Sequence, residues 1–100
     1  MGAPRQDLIP VIGTLEEHAD ELADKLLQAG HEETSAATAV RQALTAMQRQ
    51  LLAYDRADPT VLLVEPLRRL RDQCTGELAV LRAELDSAIA IAERPGGAVT

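Results

Sequence analysis

The chain has 100 residues, which suffice for one small domain but not for two independent cores. Alanine and leucine number 17 and 15, phenylalanine and tryptophan are absent, and valine and isoleucine together number 10, so the composition excludes a β-sandwich or barrel and predicts an all-α protein. A net charge of −6 works against binding to nucleic acid or to an anionic membrane surface, because both need neutralisation by Lys and Arg.

Residues 1–13 contain two prolines and two glycines, and we predict that they form an extended arm. Its apolar side chains are expected to pack on the end of the helical domain or to dock on a partner; they are Leu8, Ile9, Val11 and Ile12. This run is too short for a signal peptide, and no stretch of the chain approaches the length of a membrane span. We therefore expect a cytoplasmic protein.

The first helix is predicted over residues 14–29. Thr14 and Glu17 have the spacing of a capping box, in which each side chain bonds the other residue's backbone amide. Apolar residues recur every three or four positions and define one helical face: Leu15, Ala19, Leu22, Leu26 and Ala29. Gly30 has the residue type that commonly ends a helix.

The second helix is predicted to begin with Thr34 or Ser35 as its N-cap. It carries a bulky apolar stripe beside a stripe of alanines, and such a wide face can contact two neighbouring helices at once. This pattern predicts the central helix of an antiparallel bundle.

The third helix has two possible starts. It begins at Pro59, after Asp58, and kinks at Pro66, or it begins at Pro66 itself; we favour Pro59. In either case it is predicted to continue to Glu93, with a near-heptad row of apolar residues along it: Leu67, Leu70, Cys74, Leu78, Leu81, Leu85, Ala88 and Ala92.

These elements predict an antiparallel three-helix bundle over residues 14–93, with a long, Pro-kinked third helix and a flexible tail at 94–100. Because the third helix is much longer than the first, its far end keeps apolar surface that the chain cannot cover. We therefore expect a homodimer, with an interface formed by Leu81, Leu85 and Ile89 together with the amino-terminal arm. Lys at positions 81 and 85 is expected to leave a helical monomer.

Three carboxylates, Glu17, Glu21 and Asp24, share one face of the first helix, and such spacing can hold Mg²⁺ near a phosphate. A second carboxylate pair on another helix is missing, so we favour a solvated acidic face. The two histidines lack the spacing of a bundle metal site. Cys74, the only cysteine, lies in the leucine row and is expected to act as a small apolar residue. We expect no cofactor.

Arg68, Arg69 and Arg71 form a basic cluster. They could bind an acidic partner, but we favour pairing with the acidic first helix. By elimination, the sequence favours a non-enzymatic helical module for protein–protein interaction, such as an adaptor, chaperone or assembly subunit, that exchanges apolar helix faces with itself or another helical protein. The alternatives are a small metal-dependent enzyme of phosphate chemistry that uses the first-helix carboxylates, and an antitoxin-like regulatory module that uses the arginines.

Overall fold

A computed structural model describes the backbone of residues 4–53 and 59–93. Helices joined by short turns fill these two ranges, which contain no β-strand, and the all-α prediction is confirmed. The elements are α1 (Pro4–Gln28), α2 (Thr34–Ala53), α3 (Pro59–Gln73), a 3₁₀ helix (Gly76–Leu81) and α4 (Arg82–Ala92). The tail predicted at 94–100 lies outside the described residues.

The amino-terminal segment differs from its prediction, because residues 4–13 are helical and belong to α1. Leu8 and Ile12 are fully buried and extend the apolar face of Leu15 by two turns. Pro10 removes one backbone hydrogen bond from the helix and crowds the preceding turn. Burial of the two apolar side chains offsets this cost, so the predicted extended arm is wrong.

The predicted capping box is also wrong, because Thr14 lies in the middle of α1. Its hydroxyl donates to the carbonyl of Pro10 at 3.0 Å, one turn earlier in the same helix. The predicted boundary between residues 13 and 14 therefore falls inside a continuous helix.

Gly30 ends α1 as predicted. Its φ is 66°, in the left-handed region that glycine adopts without strain. Its amide donates to the carbonyl of Leu27 at 3.0 Å, and the amide of His31 donates to that of Leu26 at 2.8 Å, which together form a Schellman motif. Thr34 is the first residue of α2. Its hydroxyl donates to the carbonyl of His31 at 2.8 Å instead of accepting an amide as an N-cap does.

The polar contacts between α1 and α2 show that the two helices run antiparallel, since residue numbers fall along α1 as they rise along α2. The contacts are Arg41 with Asp20 at 3.5 Å, Thr45 with Glu16 at 2.9 Å, and Gln48 with the carbonyl of Ile9 at 3.0 Å.

The long third helix is not formed. Helix α3 begins at Pro59, as favoured, and contains Pro66, but it ends at Gln73. Gly76 has a φ of 59°, a conformation that interrupts a helix, and the chain folds back there. Two ion pairs then join α3 to the returning segment: Arg71 Nη1 donates to Asp86 of α4 at 3.1 Å, and Arg68 donates to Glu93, the residue that follows α4.

The fold-back covers the leucine row with the chain's own helices. Every residue of the predicted row is buried, and they lie in one apolar core with residues of α1 and α2. Those core residues of α1 and α2 are Leu8, Ile12, Leu15, Ala19, Leu26, Ala37, Val40, Leu44, Met47 and Leu51.

The carboxylate of Glu33 joins the turn after α1 to the turn after α3. It accepts the backbone amide of Glu77 at 3.0 Å, at the start of the 3₁₀ helix. Gly76 makes this approach possible, since a Cβ there would lie 2.5 Å from a Glu33 carboxylate oxygen. The molecule is elongated, with extents of 50 × 22 × 17 Å.

Candidate functional site

A groove of about 330 Å³ lies where α1 and α4 pack side by side. The residues that line it are Pro10, Val11, Thr14 and His18 from α1, and Glu84 and Ser87 from α4. All four α1 residues lie on one side of that helix at spacings of one, three and four, and Glu84 and Ser87 lie one turn apart on α4. The groove therefore exists because the amino-terminal segment is helical.

A histidine–carboxylate pair crosses this groove. The Nδ1 of His18 lies 2.7 and 2.8 Å from the two carboxylate oxygens of Glu84. The hydrogen bond to Glu84 raises the pKa of His18, and the negative charges of Glu84, Glu21 and Glu17 act in the same direction, while burial opposes them. With 43% and 37% of the two side chains exposed, the pair is open to solvent and fastens α1 to α4.

The remaining lining of the groove is mostly carbon. Pro10 and Val11 contribute apolar side chains. The hydroxyls of Thr14 and Ser87 donate to the carbonyls of Pro10 and Ala83 in their own helices. Neither hydroxyl is hydrogen-bonded to the His18 ring, so the groove holds no nucleophile–base pair of the kind used in acyl transfer.

The predicted metal candidates do not form a centre. Glu17, Glu21 and Asp24 are exposed on the outer side of α1. Within residues 4–53 and 59–93, no group of three or more His, Cys, Asp or Glu residues has an arrangement that could hold a metal ion. Two other α1 carboxylates, Glu16 and Asp20, bond to α2.

The predicted interface leucines are not available on the surface. Leu81, Leu85 and Ile89 are 2%, 0% and 6% exposed. Of the amino-terminal residues, Leu8 and Ile12 are fully buried, and Ile9 and Val11 pack partly buried against the core. The expectation of an exposed apolar face is wrong for Leu8, Ile12, Leu81, Leu85 and Ile89, which the fold-back of α4 against α1 buries. Lys at positions 81 and 85 would therefore disrupt the core itself. Val11 stays partly exposed and lines the groove between α1 and α4.

The basic cluster pairs with α4 instead of with the acidic first helix. Arg68 donates to Glu93, and Arg71 donates to Asp72 and Asp86. Arg69 is exposed. The favoured pairing with the first helix is therefore wrong in its partners: Asp86 lies on α4, Glu93 follows the end of α4, and Asp72 is the neighbour of Arg71 on α3.

Cys74 is buried in the apolar row as expected. Burial raises the pKa of its thiol, and the positive charge of Arg82 opposes that shift. His31 lies in the turn before α2, where its Nδ1 accepts the amide of Glu33 at 3.1 Å.

Sequence reasoning missed the groove and its ion pair. His18 and Glu84 are 66 residues apart, and no local spacing connects them. It also missed three large apolar side chains that remain exposed: Leu27, Leu52 and Val80 at 64%, 59% and 69%.

No known protein family, curated protein or solved structure matches this chain. None of the described helices combines the length and apolar character that crossing a membrane requires.

Proposed function

We propose that the chain is a non-enzymatic helical module for protein–protein interaction, and that it binds its partner through the groove between α1 and α4. The proposal keeps the function class favoured by the sequence and moves the binding surface. The covered leucine row can no longer supply that surface, since its side chains are already part of the chain's own core.

The single observation that supports this proposal is the composition of the groove. An open cleft with carbon surface from Pro10 and Val11, crossed by one ion pair, has the features of a helix-binding groove, where apolar side chains insert and polar groups fix orientation. Both walls are helices that contribute to the core. We expect such walls to move little when a partner binds.

The test is site-specific photocrosslinking in the cell that makes the protein. A benzophenone amino acid placed at position 87 faces the groove, whereas the same group at position 50 is exposed on α2 and provides the matched control. We expect a discrete protein adduct from position 87 and none from position 50. Equal adduct patterns from the two positions would contradict the proposal.

A further inference from the structure

We infer that the groove between α1 and α4 takes a cationic amphipathic helix, whose apolar side chains enter the cleft while its Lys and Arg residues lie along the outer face of α1. This inference rests on the proposed function and names the chemistry of the partner.

The charge of the molecule is segregated between its helices. Helix α1 has six acidic residues against two basic ones, and the segment Gly76–Ala92 has three against one. In contrast, α2 has two arginines and no acidic residue, and α3 has three arginines against two acidic residues. The two helices that form the groove are therefore the acidic side of the molecule, and a cationic partner complements them.

Three exposed carboxylates of α1 have no ion-pair or hydrogen-bond partner among the described residues. Glu17, Glu21 and Asp24 are exposed, and the ion pairs and side-chain hydrogen bonds of the described residues do not include them. With Thr14 they recur at spacings of three and four along α1. Glu17 borders the α2 side, in a depression that it shares with Glu16, Asp20 and Arg41, so Glu21 and Asp24 are the carboxylates offered to a partner that leaves the groove along α1. The hydrogen bond to Glu84 is the main cause of the raised pKa of His18, and the charges of Glu21 and Glu17 act in the same direction.

The dimensions also fit a helix. From Pro10 to Asp24, α1 rises about 21 Å, which corresponds to a partner helix of about 14 residues or four turns. The cleft of about 330 Å³ lies beside residues 10–18 of α1, and the exposed carboxylates Glu21 and Asp24 follow it toward the carboxyl end of the helix. An apolar anchor followed by basic residues on the same face of one helix would contact both.

A second copy of the chain is a poorer occupant. Of the five arginines on its basic side, formed by α2 and α3, Arg41, Arg68 and Arg71 are each paired with a carboxylate of their own chain, which leaves Arg49 and Arg69 for a contact with another copy. Docking of that side on the acidic side of another copy would be head-to-tail, a contact that gives open chains unless it closes into a ring. The charge pattern therefore favours a different protein as the partner.

The binding experiment uses the full-length chain and synthetic peptides as probes. The first is an acetylated and amidated helix of about 14 residues, made of Leu, Ala and Lys, with leucines at i, i+4 and i+7. The second has Glu at every Lys position. By fluorescence anisotropy, we expect the lysine peptide to bind at least about tenfold more tightly than the glutamate peptide, and its affinity to fall as salt screens the contact.

Two pairs of variants locate the binding. Ser87→Trp fills the cleft from an exposed position, and Gln50→Trp adds the same ring on α2. We expect Ser87→Trp to weaken lysine-peptide binding at least about tenfold and Gln50→Trp to leave it unchanged. Glu21→Lys is compared with Glu65→Lys, an equal charge change at an exposed site on α3, and we expect a larger loss from Glu21→Lys. Circular dichroism confirms that each variant is folded.

The inference is overturned by equal binding of the two peptides, by no binding of either, or by equal effects within either pair of variants. Self-association that Ser87→Trp abolishes would show that a second copy occupies the groove, which also overturns it. These results leave the proposed function standing if position 87 still crosslinks in cells. Peptide binding without such an adduct would contradict the proposed function, because the groove would then bind the probe but no partner in the cell, and the inference that rests on it would fall as well.

Discussion

Gly13 lies in the middle of α1 at a position that does not need glycine. The positive φ angles among the described glycines are at Gly30 and Gly76. A Cβ at Gly13 would meet its nearest neighbour, Gln48 Nε2, at 3.7 Å, which is ordinary van der Waals contact. Glycine inside a helix costs up to about 1 kcal/mol relative to alanine.

We therefore expect Gly13→Ala to raise the free energy of unfolding by about 0.5–1 kcal/mol. Urea denaturation followed by circular dichroism measures it. Gly30→Ala is the matched contrast, and we expect it to lose about 1 kcal/mol or more, since alanine is strained at a φ of 66°. A destabilising Gly13→Ala would show that α1 does not continue through this residue.

The His18–Glu84 pair predicts a pH dependence of stability. Because the pKa of His18 is raised in the folded state, mainly by its hydrogen bond to Glu84, the stabilisation is fully present below the unfolded value near 6.5. It is lost as the pH rises through the higher folded pKa. We expect the wild type to lose more stability than His18→Gln between about pH 6 and pH 8.

Thermal melts of both proteins at each pH measure this difference, and subtracting one profile from the other cancels the groups they share. Glu84→Gln removes the negative charge and is expected to flatten the profile in the same way. Parallel profiles for the wild type and His18→Gln would exclude a stabilising contact between α1 and α4 through this pair.

The reversal of the chain between α3 and α4 makes Leu85 a core residue. Its side chain is 0% exposed. Truncation of a buried leucine leaves a cavity and costs about 2–5 kcal/mol. We expect Leu85→Ala to lower the free energy of unfolding by this amount in urea titrations, whereas Ala83→Ser, at an exposed position of the same helix, should have little effect. If the loss in free energy of unfolding is the same at every protein concentration, Leu85 acts through core packing, since a contribution from a subunit interface would change with concentration.

The helices themselves could be predicted where the signal is local. Gly30 ends α1 and Pro59 starts α3 because each residue type matches the backbone conformation its position needs. The helical conformation of the amino-terminal turns could not be predicted in this way, because Pro10 and Gly13 both disfavour a helix locally. The burial of Leu8 favours the helix, but it depends on the tertiary structure.

The turn after α3 could not be predicted from the apolar pattern, for a different reason. Apolar spacings of three and four continue without interruption through Cys74, Leu78 and Leu81, although these residues lie in a turn and a 3₁₀ helix. Periodicity reports which residues are buried and does not report whether one helix or two carry them. Gly76 was the local signal of the break. The groove could not be predicted at all, since its two walls meet only after this reversal.

For the whole molecule, a homodimer stays a prediction. Since the leucine row is covered, self-association would have to use exposed apolar side chains, and in the described part of the chain the large ones are Leu27, Leu52 and Val80. We expect a dimer in sedimentation velocity at on the order of 10 µM to be weakened by Leu27→Ser, Leu52→Ser or Val80→Ser. Sedimentation of the wild type as a monomer at that concentration would remove the prediction.

Acidic residues outnumber basic ones on α1 and in Gly76–Ala92, and basic residues outnumber acidic ones on α2 and α3, so the negative side of the described helices lies toward α1 and α4. A positively charged protein that diffuses nearby is drawn toward the negative side and turned by the field before the two surfaces touch. Collisions at the wrong side are thereby made less frequent, and encounter becomes faster at low ionic strength. The attraction of a positively charged partner would thus begin at distances longer than those of any side-chain contact.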